Sequence, residues 1–391
     1  MDIMESRRWK IKVLTPVHIG CGEVYEPFSF AIKDNKLLVF DMEQLLSALD
    51  EKTRREFSNI CLMGTSDAII KMYKFVRRNV AERKDIIEKG IVKKTIDVAQ
   101  ALVKHYNSQI IGTNQPAQRS YQSQQNRPFN NSNRVISQFQ IYRTFFDPNS
   151  ELPIIPGSSV KGAIRTAVLN ARKNEVANKT LRNYYYKDRF GKINYDAKKL
   201  ESDILKYKKF QEDPFSLVRV SDFRPVGQPK VKVTYAINVK KSSDKLGRGP
   251  HQIKLGRGPY QIVEALLEGE FEGTITILKY QKSSERRIDS PLSFEEIKGA
   301  LKGFYGKELE REKKEMEKTG ISYKAIQQPT VPIRIGRHSG AECVTIEGFR
   351  VIRIMGSNTP GATPTTLWLA SEDRSKPHNA MPFGWCSVIE E

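Results

Sequence analysis

The chain has 391 residues, with 65 Lys plus Arg against 45 Asp plus Glu and a formal net charge of +20. That length exceeds what one core usually supports and predicts two domains, while the basic excess favours a polyanionic partner, nucleic acid ahead of a membrane surface. No apolar run approaches the roughly 20 residues that span a bilayer, no apolar stretch precedes the charges of MDIMESRRWKIKVL, and Cys21, Cys61, Cys343 and Cys386 form no CxxC pair, so the expectation is a cytoplasmic protein with reduced thiols and no zinc site.

Along the chain, residues 9–14 (WKIKVL) alternate apolar and basic side chains and read as a half-buried strand. The next stretch, VHIGCGE, places His18 beside Gly20 and Gly22 in a loop where backbone can approach a ligand closely. His18 has the side-chain pKa range for acid–base work, and equally for a phosphate contact or for plain packing. Residues 28–33 and 36–40 read as strands around an Asp34-Asn35 turn, and Asp41 opens a short helix through residue 49. Residues 66–106 read as helical with a break near Gly90, an insertion rather than part of a small αβ domain. Residues 112–134 are rich in Gln, Asn and Ser and interleave Arg119, Tyr121, Arg127, Phe129 and Arg134. Such a segment suits single-stranded RNA, or is an insertion with no binding role.

Residues 152–172, LPIIPGSSVKGAIRTAVLNAR, concentrate the most chemical information. Gly157 permits a tight turn, Ser158 or Ser159 can cap a helix, and Val160, Ala163, Ile164, Ala167 and Val168 form one apolar stripe edged by Lys161, Arg165 and Arg172. Free amides, the helix dipole and two cations would suit an anionic oxygen. An ordinary capped amphipathic helix with surface cations fits the same residues.

Beyond it, residues 217–223, 230–240 and 271–279 read as strands. The duplicated nonapeptide KLGRGPHQI–KLGRGPYQI builds a basic, Gly-rich projection that carries Arg248 and Arg257. Ser293 with Glu296 suits a capping box, and residues 308–318 read as a solvated, mixed-charge helix face. Arg334, Gly336, Arg337, His338 and Gly340 form a second Gly-rich loop that could cradle phosphates, without the ending of a P-loop. Residues 367–370 and 382–388 close the chain as strands.

Taken together and in order, TPVHIGCGE, IPGSSVKGAIRTAVL, RIGRHSG and PFGW resemble the RAMP superfamily of CRISPR proteins, and within it the fifth-subunit family of type III-A Csm effector complexes. The resemblance implies an α+β fold of two ferredoxin-like, RRM-related domains. Their expected bounds are residues 1–210, with a helical and low-complexity insertion at about 51–134, and residues 211–391, with the projection at about 240–262. It also implies a non-catalytic CRISPR RNA-binding subunit, without metal or cofactor, that caps the 3′-end side of the complex beside the other subunits. Such a subunit supports CRISPR RNA maturation by host nucleases and antiviral defence. No RNP1-like string is present, so contact is expected through loops and helix starts. The residues expected to meet RNA are His18, Gly20, Gly157, Ser158, Ser159, Lys161, Arg165, Arg248, Arg257, Arg334, Arg337 and His338. Two alternatives are enzymatic: a metal-independent processing endoribonuclease using His18, and a target-cleaving subunit that would need a divalent ion and a loop aspartate, for which no Asp stands out. A third is a protein-binding scaffold.

Overall fold

The N-terminal alternation forms β1 (Met4–Val13), with Trp9, Ile11 and Val13 buried on one face. The computed structural model describes residues 4–390 apart from 27, 84, 87–88, 112–138, 191–192, 242–259, 281–287, 355–358 and 376. The interleaved segment at 112–134 and the duplicated nonapeptide, with Arg248 and Arg257, therefore lie outside the described residues. After β2 (Gly20–Tyr25), β3 (Phe30–Lys33) and β4 (Lys36–Phe40) form the expected hairpin. Its turn residues Asp34 and Asn35 take φ of 49° and 58°, the left-handed pair that a two-residue hairpin loop requires. Asp41 caps α1 (Met42–Ala48), and α2 (Glu51–Leu62) and α3 (Ser66–Val76) follow.

The helical reading of residues 66–106 fails in its middle. Residues 92–98 are β5 (Val92–Val98), ahead of α4 (Gln100–Ile111). In KKTIDV the buried positions Ile96 and Val98 alternate with more exposed polar ones, and the strand pairs antiparallel with β4. Then come β6 (Ile141–Thr144), α5 (Gly157–Arg172), a small hairpin of β7 (Tyr185–Lys187) and β8 (Ile193–Tyr195), and α6 (Ala197–Leu205). The second half holds β9 (Val218–Val220), β10 (Arg224–Lys240), β11 (Tyr260–Leu278), α7 (Phe294–Glu317), β12 (Pro332–Arg334), β13 (Thr366–Ser371), β14 (Met381–Pro382) and β15 (Trp385–Glu390).

Most of the strands join one large sheet organised by β11. Its distal half pairs with β1 from Met4↔Leu278 to Lys12↔Glu270, and its proximal half with β10. The spatial order β15–β1–β11–β9, with α5 between β1 and β9 in the chain and α7 between β11 and β15, is a βαββαβ arrangement. Both helices contribute to the core that contains Trp9, Ile164, Val168, Phe271, Leu301 and Trp385. The N-terminal strand, α5 and the C-terminal strand share one core with β11. The reason is the ladder itself, since β11 cannot satisfy its backbone groups without β1 and β10. A second core, with Phe30, Leu37, Tyr73, Ile96, Tyr106 and Tyr235, lies where β3, β4, β5 and α4 meet the other half of the β10–β11 ribbon. Among the described residues, no helix is long and apolar enough to cross a membrane.

Candidate nucleic-acid interface

Three motifs far apart in the sequence are knit together through backbone hydrogen bonds. The Arg337 amide donates to the His18 carbonyl at 2.8 Å, the Gly384 amide to Pro16 at 2.8 Å, the Ile335 amide to Gly384 at 2.9 Å, and the Leu14 and Thr15 amides to Trp385 at 3.0 and 3.1 Å. Gly336 has φ +93°, and a Cβ there would stand 2.6 Å from the His18 carbonyl oxygen. No larger residue permits this approach. The knot leaves the exposed Arg337 side chain lying over Gly20, where a Cβ would come 3.0 Å from its Cδ. Among the described residues, no carboxylate pairs with Arg337.

His18 itself is internal. Its side chain is buried, Nδ1 donates to the Glu264 carbonyl at 2.8 Å, and its ring stacks 6.0 Å from that of His338. Burial holds its pKa down to about 4, with the Arg337 charge adding to the effect, so the imidazole is neutral at physiological pH. The His18 ring is thus turned inward, and its carbonyl accepts from the Arg337 amide. Beneath it the buried Glu264 carboxylate accepts from the Thr144 amide at 3.1 Å and pairs with Lys94 at 2.9 Å.

Arg334 and His338 are likewise consumed by the fold. Arg334 is 3% exposed, pairs with Glu312 at 2.9 Å, donates Nε to the Phe383 carbonyl at 2.9 Å and lies over the Trp385 ring. His338, at φ +66°, packs 4.7 Å from Trp368 and 5.1 Å from Phe383. The partners of Arg334 correct part of the reading of residues 308–318 as a solvated face: Glu310, Lys314, Glu317 and Lys318 are exposed, but Glu308 and Glu312 are not. Glu308 and Glu312 are each 2% exposed. Glu312 also accepts from the Trp385 indole at 2.7 Å, and Glu308 pairs with Arg311 and Arg350. The mixed charges of α7 anchor the Gly-rich loop from within.

The start of α5 differs from expectation in the same way. Its N-cap is Pro156, with no side-chain cap from Ser158 or Ser159, and the Gly157 amide donates to Asp222 Oδ1 at 2.8 Å. A Cβ at Gly157 would stand 2.3 Å from the Val220 carbonyl oxygen, so this glycine is required by close packing on the β9 segment. Lys161 donates to the Val218 carbonyl at 2.8 Å, and burial pushes its pKa below the ordinary value. Arg165 pairs with Glu201 at 2.9 Å and Asp213 at 2.8 Å, over the Phe215 ring. Lys161 and Arg165 thus fasten the strap from α6 to β9, and a protein carboxylate takes the place expected for an anion. Ser158 remains exposed and Ser159 half-buried. Arg219, exposed on β9 and close enough to perturb Lys161, is a basic residue that the motif reading missed. Its signal was the alternation of LVRV.

The two motif regions are joined by a series of backbone bonds. The Phe145 amide donates to the Ile19 carbonyl at 2.6 Å, Ile154 to Phe145 at 3.2 Å, and Ile155 and Phe223 bond reciprocally at 3.0 and 2.8 Å. Arg337 with Gly20, and Ser158 with Arg219, therefore stand at the two ends of one hydrogen-bonded series of segments. No group of three or more His, Cys, Asp or Glu that could hold a metal occurs among the described residues.

The chain is 24% identical over 223 residues to the CRISPR system Cms protein Csm5 of Methanocaldococcus jannaschii, a match covering 54% of this chain and 41% of that relative's length. A chain in the cryo-EM structure of a Csm–crRNA–target RNA ternary complex from a type III-A CRISPR-Cas system shares the fold with a TM-score of 0.53 at 19% identity, covering 99% of this chain and 100% of that one. The sequence model of the RAMP superfamily matches residues 10–337, spanning the HIG loop, α5 and the ribbon up to Arg337, and the chain belongs to that superfamily.

Proposed function

We propose that this chain is a non-catalytic CRISPR RNA-binding subunit of a type III-A Csm effector complex. In this reading it caps the 3′-end side of the complex, contacts neighbouring subunits, and supports CRISPR RNA maturation by host nucleases in the cytoplasm. The observation that carries the reading is the motif knot, in which conformationally demanding glycines and a series of backbone bonds hold over a glycine one exposed arginine that has no carboxylate partner among the described residues. An exposed cation beside a small residue suits a phosphodiester. The membership of the chain in the RAMP superfamily, the Csm5-named relative and the shared fold with a Csm-complex chain support the same reading, and the βαββαβ arrangement of the first core is what one ferredoxin-like domain would supply. In it Arg337, Gly20, Ser158 and Arg219 line the RNA path, and Arg248 and Arg257, outside the described residues, are kept as expected RNA contacts.

The test is titration of labelled CRISPR-repeat RNA with the purified chain across a salt series, in magnesium and in EDTA, with the RNA then resolved on denaturing gels. RNA should remain intact under both conditions, and Arg337→Ala should lower the salt slope by about 0.7 to 0.9. Cleavage by the wild type, or an unchanged slope in the variant, overturns the proposal.

A further inference from the structure

The β7–β8 hairpin displays aromatic surface that the fold does not use. Phe190 is 80% exposed and Tyr186 52%, with Ile193 at 63% on the facing strand. Large apolar side chains this open are costly in a free monomer and mark contact surfaces when they cluster. The hairpin base is nonetheless firmly held. Tyr195 donates its hydroxyl to the Phe349 carbonyl at 3.0 Å and packs against Tyr185 at 5.9 Å, while the buried Tyr184 packs edge-on against Phe349 at 5.7 Å. At the tip the Asp188 carboxylate accepts from the Phe190 amide at 2.9 Å and from the Asn194 side chain at 3.1 Å. Its oxygens thus tie Phe190 and Asn194 to the end of β7.

Cations lie along the same segment. Arg182, Lys187 and Arg189 are exposed, and among the described residues none of them forms an ion pair. Arg189 places its guanidinium over the Phe190 ring at 4.7 Å, so charge and π-face are presented together. Exposed rings on a rigid base, flanked by unneutralised cations, are the combination that binds single-stranded nucleic acid: bases stack on the rings and phosphates meet the cations. A protein partner would instead favour few lysines at the contact centre.

We infer that the β7–β8 hairpin is a second contact for single-stranded RNA, in which Tyr186 and Phe190 stack on bases and Arg182, Lys187 and Arg189 neutralise the backbone. The inference rests on the RNA-binding reading but concerns residues outside the motif knot, so the two can fail separately.

The experiment is fluorescence anisotropy of a labelled, unstructured oligouridine RNA with the full chain, comparing wild type, Tyr186→Ala, Phe190→Ala, Phe190→Trp, Lys187→Ala and Arg337→Ala over a salt series. Phe190→Ala and Tyr186→Ala should each weaken binding about tenfold, and Phe190→Trp should retain it. Lys187→Ala should reduce the salt slope by about 0.7. If Arg337→Ala weakens binding while every hairpin variant binds like wild type, the hairpin inference is wrong and the proposed function stands. If wild type binds no RNA at physiological salt, both fall. Normal RNA binding by hairpin variants that no longer assemble with neighbouring Csm subunits would make the hairpin a protein contact and overturn the inference.

Discussion

The Arg337 amide and the His18 carbonyl are bonded at 2.8 Å, which brings residues from opposite ends of the chain into one turn. The arginine side chain lies outside while the histidine ring lies inside. One bond therefore divides the motif into a part that faces solvent and a part that holds it there.

That division separates two kinds of substitution. Gly336→Ala places a methyl 2.6 Å from the His18 oxygen at a φ of +93° and should cost about 2 kcal/mol or more, read as a lower urea midpoint. Arg337→Ala touches only exposed surface and should change stability by no more than about 0.5 kcal/mol while weakening RNA binding. Equal loss of stability in the two would show that the arginine belongs to the structural part.

Arg165 should behave as structure. Its partner Asp213 has a side chain only 7% exposed, so Arg165→Met leaves a buried carboxylate without its cation and should destabilise the protein by about 3 kcal/mol. The salt dependence of RNA binding should not move. A reduced slope in Arg165→Met that still folds would restore the phosphate role expected from the sequence.

How much was readable follows from the range of each interaction. The stripe Val160, Ala163, Ile164, Ala167 and Val168 is buried in full, because a 3.6-residue period depends only on neighbours. The Asp34-Asn35 turn and the Ser293 cap, whose hydroxyl accepts from the Glu296 amide at 3.2 Å, are local in the same sense. What Lys161, Arg165 and Arg334 do is not local. Their partners Val218, Asp213 and Glu312 sit on other elements, so a cation at the edge of an apolar stripe gives no sign of whether its partner is a phosphate or the chain's own oxygen. Residues 308–318 misled for the same reason: charge density predicts solvent only where no opposite charge is folded onto it. Strand β5 was hidden by the helices on either side and by lysines at its outward positions.

The buried ion pair between β12 and α7 gives a further test. Arg334 and Glu312 have side chains 1% and 2% exposed. Arg334→Met should cost about 3 to 5 kcal/mol because it strands the glutamate. Glu312→Gln in the same chain should recover part of the loss, since a neutral amide oxygen still accepts from the Trp385 indole. A double-mutant cycle by urea unfolding measures the coupling, and additive losses would mean that the pair contributes no mutual stabilisation.

The buried imidazoles set the acid limit of the fold. Burial holds His18 at about 4, with Arg337 assisting, and His105 at about 4, with Arg374 assisting, against an ordinary value near 6.5. Because the folded pKa lies below the unfolded one, the unfolded chain takes up the proton first as pH falls. Stability is complete above about pH 6.5 and declines until about pH 4, by up to about 3 kcal/mol for each histidine. Glu347, held at about 2 by Lys173 and Lys307, loses its contribution only at lower pH, as the unfolded carboxylate protonates near 4.3 and below. Urea midpoints at pH 7.5 and pH 5 should therefore differ in the wild type. His18→Asn, which keeps a donor for the Glu264 carbonyl but cannot titrate, should show a smaller difference. An unchanged difference in His18→Asn and in His105→Gln would assign the acid sensitivity to carboxylates instead.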